Sequence, residues 1–109
     1  MEQLIESEQI HKGITATAGG FYGPQGRVLR LGIQDSALNS KMDSFSFEGH
    51  RITNLEMETS AIYGLGKLLG HHCLSMNAII ANRANGTFSQ DPYKAVDELI
   101  LYTLNKLAQ

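Results

Sequence analysis

The chain has 109 residues, 42% of them hydrophobic, with nine Lys+Arg against eleven Asp+Glu and a net charge of −2. That makes one small domain, and it excludes both a disordered chain and a nucleic-acid binder that relies on bulk positive charge. No apolar run approaches the roughly 18 residues of a membrane span, the N-terminus has no signal-peptide apolar stretch, and the single cysteine, Cys73, permits no internal disulfide, which suits a reducing cytosol.

Taken in chain order, Met1–Glu8 reads as a short helical stub. Gly13–Ala18 (GITATA), β-branched at alternate positions, predicts a strand. A glycine-dense loop follows over Gly19–Arg27, with Gly23-Pro24 and Gln25-Gly26 as turn signals. Val28–Leu31 predicts a brief extended piece, Ser36–Phe47 a weak helix and Ile52–Leu55 a second strand. In Glu58–Leu69 the residues Ala61, Ile62, Leu65, Leu68 and Leu69 share one helical face, and Gly70 stands at the C-terminal stop. Cys73–Ala81 (CLSMNAIIA) is an apolar run that predicts a strand covered on both faces. Asp91 and Pro92 mark the N-cap and first position of a last helix, whose stripe is Val96, Leu99, Ile100, Leu104 and Leu107.

Strands alternating with helices indicate an α/β fold. Three strands make a thin sheet, however, while the last expects cover on both faces. The chain therefore reads as part of a larger sheet, or as one partner of an obligate assembly.

Two segments carry candidate chemistry. In the Gly19–Arg27 loop, glycines let backbone approach a ligand closely, and Gln25 and Arg27 offer planar donors that can grip a carbonyl-bearing ring in two places. The alternative is a plain surface loop whose glycines serve only its turns. It is not a P-loop, because no Gly-Lys-Ser/Thr follows. In Glu56-Met57-Glu58 a strand hands over to a helix, the place where ligand sites gather in α/β sheets. A carboxylate there can accept from paired sugar hydroxyls, or it can merely complement the positive end of the helix dipole. Three weaker signals fall away. Gly64–Gly70 imitates a dinucleotide fingerprint with the wrong spacing, inside a helix, so its glycines are read as packing contacts. His71-His72-Cys73 would point to opposite faces of a strand with no second ligand cluster, so no metal is expected. Asn85-Gly86-Thr87 is a glycosylation sequon without a secretory signal.

Together the segments Gly13–Ala16 to Phe21–Arg27, Asn54–Ala61 and Ile79–Arg83 resemble the nucleoside phosphorylase superfamily, in its uridine-phosphorylase-like branch. The motifs occur in the family's order, and the resemblance covers nearly the whole chain. It implies a partial mixed sheet with flanking helices, the carboxyl-terminal half of a nucleoside phosphorylase-like fold. It also implies that Phe21 forms a wall against sugar and base, that Gln25 and Arg27 hold the uracil edge, and that Met57 and Glu58 hold the ribose. Glu56 would steady the strand-end turn and Arg83 would support the base site. Purine-directed relatives place an aspartate after a serine beyond the last strand. Asn82-Arg83 stands there in this chain, which favours a pyrimidine.

The implied activity is cleavage of uridine or a related nucleoside by inorganic phosphate, without metal or organic cofactor, in a cytoplasmic dimer or hexamer. Such enzymes extend over about twice this length, and their phosphate site lies in the amino-terminal half. Residues 1–109 are thus expected to be a carboxyl-terminal portion, whether a truncated reading frame, a proteolysed piece or one part of a split protein. The alternatives are a nucleosidase of the same superfamily using water, for instance on AMP, a non-catalytic nucleoside-binding or assembly fragment, and a chance match on an unrelated α/β domain.

Overall fold

The computed structural model describes residues 10–109. The helical stub expected over Met1–Glu8 lies outside the described residues. The rest forms two units, Lys12–Cys73 and Leu74–Gln109 with residues 10–11.

The first unit is built on a three-stranded mixed sheet. Strand β1 (Ile14–Thr17) runs parallel to β3 (His50–Glu56), with Ile14 opposite Ile52 and Thr17 opposite Glu56. Strand β2 (Ser46–Phe47) pairs antiparallel with β3, giving the order β1-β3-β2. The two residues joining β2 to β3, Glu48 at φ 49° and Gly49 at φ 79°, both take the left-handed conformation required by a tight two-residue hairpin. This hairpin corrects the expected helix over Ser36–Phe47: helix α1 spans Leu38–Ser44, and Phe45 is already extended at φ −65°, ψ 134°. The Thr15 hydroxyl donates to Asn54 Oδ1 at 2.7 Å, so β1 and β3 are tied through side chains as well as backbone. Val28–Leu31, expected to be extended, bends at Leu29–Leu31 and pairs with no strand among the described residues.

Helix α2 (Thr59–Leu68) leaves the end of β3 after a two-residue turn. The chain reverses at Gly70, at φ 77°, as the sequence anticipates. Gly66 is buried, and a Cβ placed on it would fall 2.3 Å from Cys73 Sγ. The packing reading of the helical glycines therefore holds at Gly66, whereas Gly64 faces open space.

In the second unit, residues 74–80 form no strand, which corrects the expectation for Cys73–Ala81. Apolar residues report a preference for burial, but a strand also needs a neighbour for its N–H and C=O groups. Among the described residues no strand pairs with residues 74–80, where the Ser89 amide donates to Ile80 O at 2.6 Å. Pairing begins only at β4 (Ala81–Asn82), which meets β5 (Thr87–Phe88) in an antiparallel hairpin. Asn85 Oδ1 accepts from the Thr87 amide and hydroxyl, and Gly86 adopts φ 68°, so Asn85 and Gly86 lie in the hairpin's turn and Thr87 opens β5. Helix α3 (Pro92–Leu107) begins as expected, with Asp91 Oδ1 accepting from the Lys94 amide at 3.0 Å. The Thr103 hydroxyl reaches Met76 Sδ at 3.6 Å and so ties the irregular run to α3. Among the described residues no helix is long and apolar enough to cross a membrane.

Candidate active site

Because β1 and β3 are parallel neighbours, their carboxyl ends emerge at the same edge of the sheet, and both candidate segments start there. The junction is held by Thr17 and Glu56. The Thr17 hydroxyl donates to Glu56 Oε1 at 2.5 Å and accepts from the Ser60 amide at 3.0 Å. Glu56 Oε2 accepts from the amides of Glu58 and Thr59, each at 2.7 Å. These amides open α2, whose first N–H groups have no partner within the helix, and a carboxylate meets both that need and the helix dipole. Partial burial pushes the Glu56 pKa up. The Thr17 hydroxyl, the two amides and the Thr59 hydroxyl outweigh it and pull the value from 4.5 down to about 2. Glu56 is therefore a fixed anion committed to the turn, with both oxygens engaged.

Glu58 occupies the N-cap position of α2, at φ −131°, ψ −22°. Its side chain caps nothing, and among the described residues its exposed carboxylate has no partner. The turn that Glu56 anchors thus presents a second carboxylate free to bind. Met57, between them, is 38% exposed.

The loop after β1 folds into a nest of turns. A short 3₁₀ turn spans Gly23–Gln25, closed by Gly26 in the left-handed conformation, and the amides of Gln25 and Arg27 both donate to Tyr22 O. The turns bring Phe21, Gln25 and Arg27 together. Arg27 Nη1 donates to Phe21 O at 2.5 Å and to Gln25 Oε1 at 2.6 Å, and the guanidinium carbon lies 3.8 Å above the centre of the Phe21 ring. Phe21 in turn meets Tyr22 edge-to-face at 5.2 Å. Gln25 is only 5% exposed, so its side chain is held rather than waving in solvent. Both hydrogens of Arg27 Nη1 are used, while Nε and Nη2 keep N–H donors without a partner among the described residues. The result is a half-buried planar cation on an aromatic face, with donors to spare. Such an arrangement can bind a flat, carbonyl-rich ring and stabilise negative charge developing on it.

A family model described as the phosphorylase superfamily matches residues 1–108. The chain belongs to the phosphorylase superfamily. It is 34% identical over 92 residues to a curated uridine phosphorylase of Thermococcus kodakarensis, a match covering 80% of this chain and 32% of that relative. The chain thus spans about a third of the length of the curated relative it matches. No solved structure matches it. Family and α/β fold stand as the Phe21–Arg27 and Asn54–Ala61 motifs imply.

Within this superfamily member, Phe21, Gln25 and Arg27 form one contact cluster, and Glu56, Met57 and Glu58 form one turn on the adjoining strand. Arg83 lies in the turn between β4 and β5, in the other unit, where the Asn82 side chain accepts from the Ala84 amide. Two residues of the site's frame escape sequence reasoning. Thr17 is the last residue of a predicted strand, and nothing local marks its hydroxyl as a bridge to Glu56, 39 positions away. Asn39, on α1, donates from Nδ2 to Gly26 O at 3.1 Å, inside a segment whose helical pattern is weak. Among the described residues no three of His, Cys, Asp and Glu come together as a metal set, the His71–Cys73 run included.

Proposed function

We propose that this chain carries the base and ribose subsites of a nucleoside phosphorylase that cleaves uridine or a related pyrimidine nucleoside. Inorganic phosphate is the co-substrate, free base and ribose 1-phosphate are the products, and neither metal nor organic cofactor takes part. The observation that carries the reading is the Arg27 cluster on Phe21 and Gln25 at the end of β1, beside the strand whose end presents Glu58.

In the reaction the bond between C1′ and the ring nitrogen breaks, its electron pair leaves with the base, and a phosphate oxygen bonds to C1′. The sugar passes through an oxocarbenium-like state while the base gains negative charge and takes a proton from solvent. Arg27 and Gln25 stabilise that charge more strongly in the transition state than in the substrate. Phe21 and Met57 wall the sugar. Glu58 accepts from the ribose hydroxyls and fixes the sugar in a reactive geometry. Glu56 holds the Glu58 backbone in place. Asn82-Arg83, in place of a purine-directed serine-aspartate pair, supports a pyrimidine base.

The phosphate subsite belongs to further protein, either the rest of a longer chain or a neighbouring subunit of a homodimer or hexamer. The 32% coverage of the relative supports this, as does the exposure of Leu65 and Leu68 on α2, at 59% and 83%. The setting is cytoplasmic pyrimidine salvage. The test is release of uracil from uridine by the purified chain, with and without phosphate. Phosphate-dependent release supports the reading. Release without phosphate replaces it with a nucleosidase, and a folded chain that binds no uridine overturns it.

A further inference from the structure

The two base-gripping residues, Gln25 and Arg27, flank Gly26, which sits at φ 78°, ψ 18°. L side chains rarely adopt this conformation, and glycine does so freely. That freedom is a liability for a binding site. If the chain rotated about the Gly26 Cα–C bond, everything beyond it would turn, and the Arg27 side chain would leave both Phe21 and Gln25.

Both ends of the Gly26–Arg27 peptide are tied. Its N–H, on Arg27, donates to Tyr22 O at 3.0 Å within the loop. Its C=O, on Gly26, accepts from Asn39 Nδ2 at 3.1 Å, a bond that reaches out of the loop to α1. Asn39 also closes the space over the glycine, since a Cβ on Gly26 would fall 2.2 Å from Asn39 Oδ1. The helix that carries it is itself pinned. Asp35 accepts from the Ala37 amide at 2.9 Å and pairs with Lys41 at 2.5 Å, while Arg51 on β3 donates to Asp43 O at 2.5 Å.

We infer that Asn39 is a positioning residue of the base subsite, locking the Gly26–Arg27 peptide so that Arg27 stays on Phe21 and Gln25. The inference rests on the proposed base subsite for its functional meaning, but not for its geometry. Asn39 touches no substrate and acts through Gly26. Its side-chain amide donates to a carbonyl, so the aspartate isostere, which has no donor when ionised, fails in the same way as alanine.

The test uses the 109-residue chain with Asn39→Ala and Asn39→Asp, each alone and with Arg27→Ala. Amide hydrogen exchange reads the Arg27 N–H, titration reads uracil affinity, and circular dichroism reads the fold. Both single variants are expected to keep the fold, to speed exchange at Arg27 roughly tenfold and to weaken uracil binding roughly tenfold, the worth of one hydrogen bond. In the Arg27→Ala background Asn39→Ala is expected to add no further loss. Unchanged exchange at Arg27 overturns the inference. So does a loss of affinity that persists in full without Arg27, because Asn39 would then act by another route. If the unsubstituted chain binds no uracil, the proposed function falls, and the exchange rate at Arg27 alone decides whether Asn39 holds the peptide.

Discussion

Replacing Glu56 by glutamine keeps the shape of the strand-end turn and removes its charge. Glu56 lies near pKa 2 in the folded chain against an ordinary 4.5. At about 1.4 kcal/mol per pH unit, that difference corresponds to about 3 kcal/mol of preference for the ionised, folded form. The side chain is only half-buried and water screens part of the interaction, so about 1–2 kcal/mol is expected in practice. The sign follows from the direction of the shift. The folded pKa lies below the unfolded one, so the stabilisation is fully present above about pH 4.5 and is lost as pH falls through about 2. Glutamine offers one acceptor oxygen where the turn uses two, and its NH₂ faces either the Thr17 hydroxyl or the α2 amides. Urea denaturation of both proteins across this range checks the reasoning. Glu56→Gln should be about 1–2 kcal/mol less stable near neutral pH, and the gap should close toward pH 2 as the unsubstituted chain loses its own carboxylate. Two curves that stay parallel from about pH 4.5 to 2 would refute the role given to Glu56.

Other substitutions separate the frame from the chemistry. Thr17→Val removes both the donor to Glu56 and the acceptor for the Ser60 amide. It should cost about 1–2 kcal/mol and raise the Glu56 pKa, which carbon-detected titration of the carboxyl would report. Asp91→Ala removes the N-cap of α3 and should cost about 1 kcal/mol of stability, read by thermal unfolding, without touching nucleoside binding. Arg27→Ala should leave the fold intact and weaken uracil binding about 10- to 100-fold, the loss of charge-assisted hydrogen bonds and a stacked cation. Near-normal affinity in that variant, measured by titration, would remove Arg27 from the base subsite.

Local chemistry was legible where one residue type decides the outcome. Asp91-Pro92 marks the start of α3, Gly70 the reversal after α2, and the alternating β-branched residues of Gly13–Ala18 contain β1. The reading failed where the outcome depends on a distant partner. The apolar run Cys73–Ala81 has the composition of a buried strand, but composition says nothing of whether a neighbouring strand is present to pair with it. The hairpin over 81–88 carries a strong turn signal in Asn85-Gly86, which the sequence also offers as a glycosylation sequon. Glu48-Gly49 likewise forms a tight turn directly after Ser36–Phe47, the stretch that reads as helix. The fold brings Phe21, Gln25 and Arg27 into contact within one short segment. Gln25 and Arg27 were visible as candidates from their own loop, and Phe21 through the family resemblance. Thr17 and Asn39 were not, since their partners lie 39 and 13 positions away and their roles exist only once the chain is folded.

The most direct measurement of the central claim is a titration of uridine into the isotope-labelled chain, following the Gln25 side-chain amide, the Arg27 guanidinium and the Glu58 carboxyl. Saturable shifts are expected at all three, with uracil alone moving Gln25 and Arg27 but leaving Glu58 in place. Saturable uridine binding that leaves Gln25 and Arg27 unmoved would contradict it, and so would Glu58 shifts as large with uracil as with uridine.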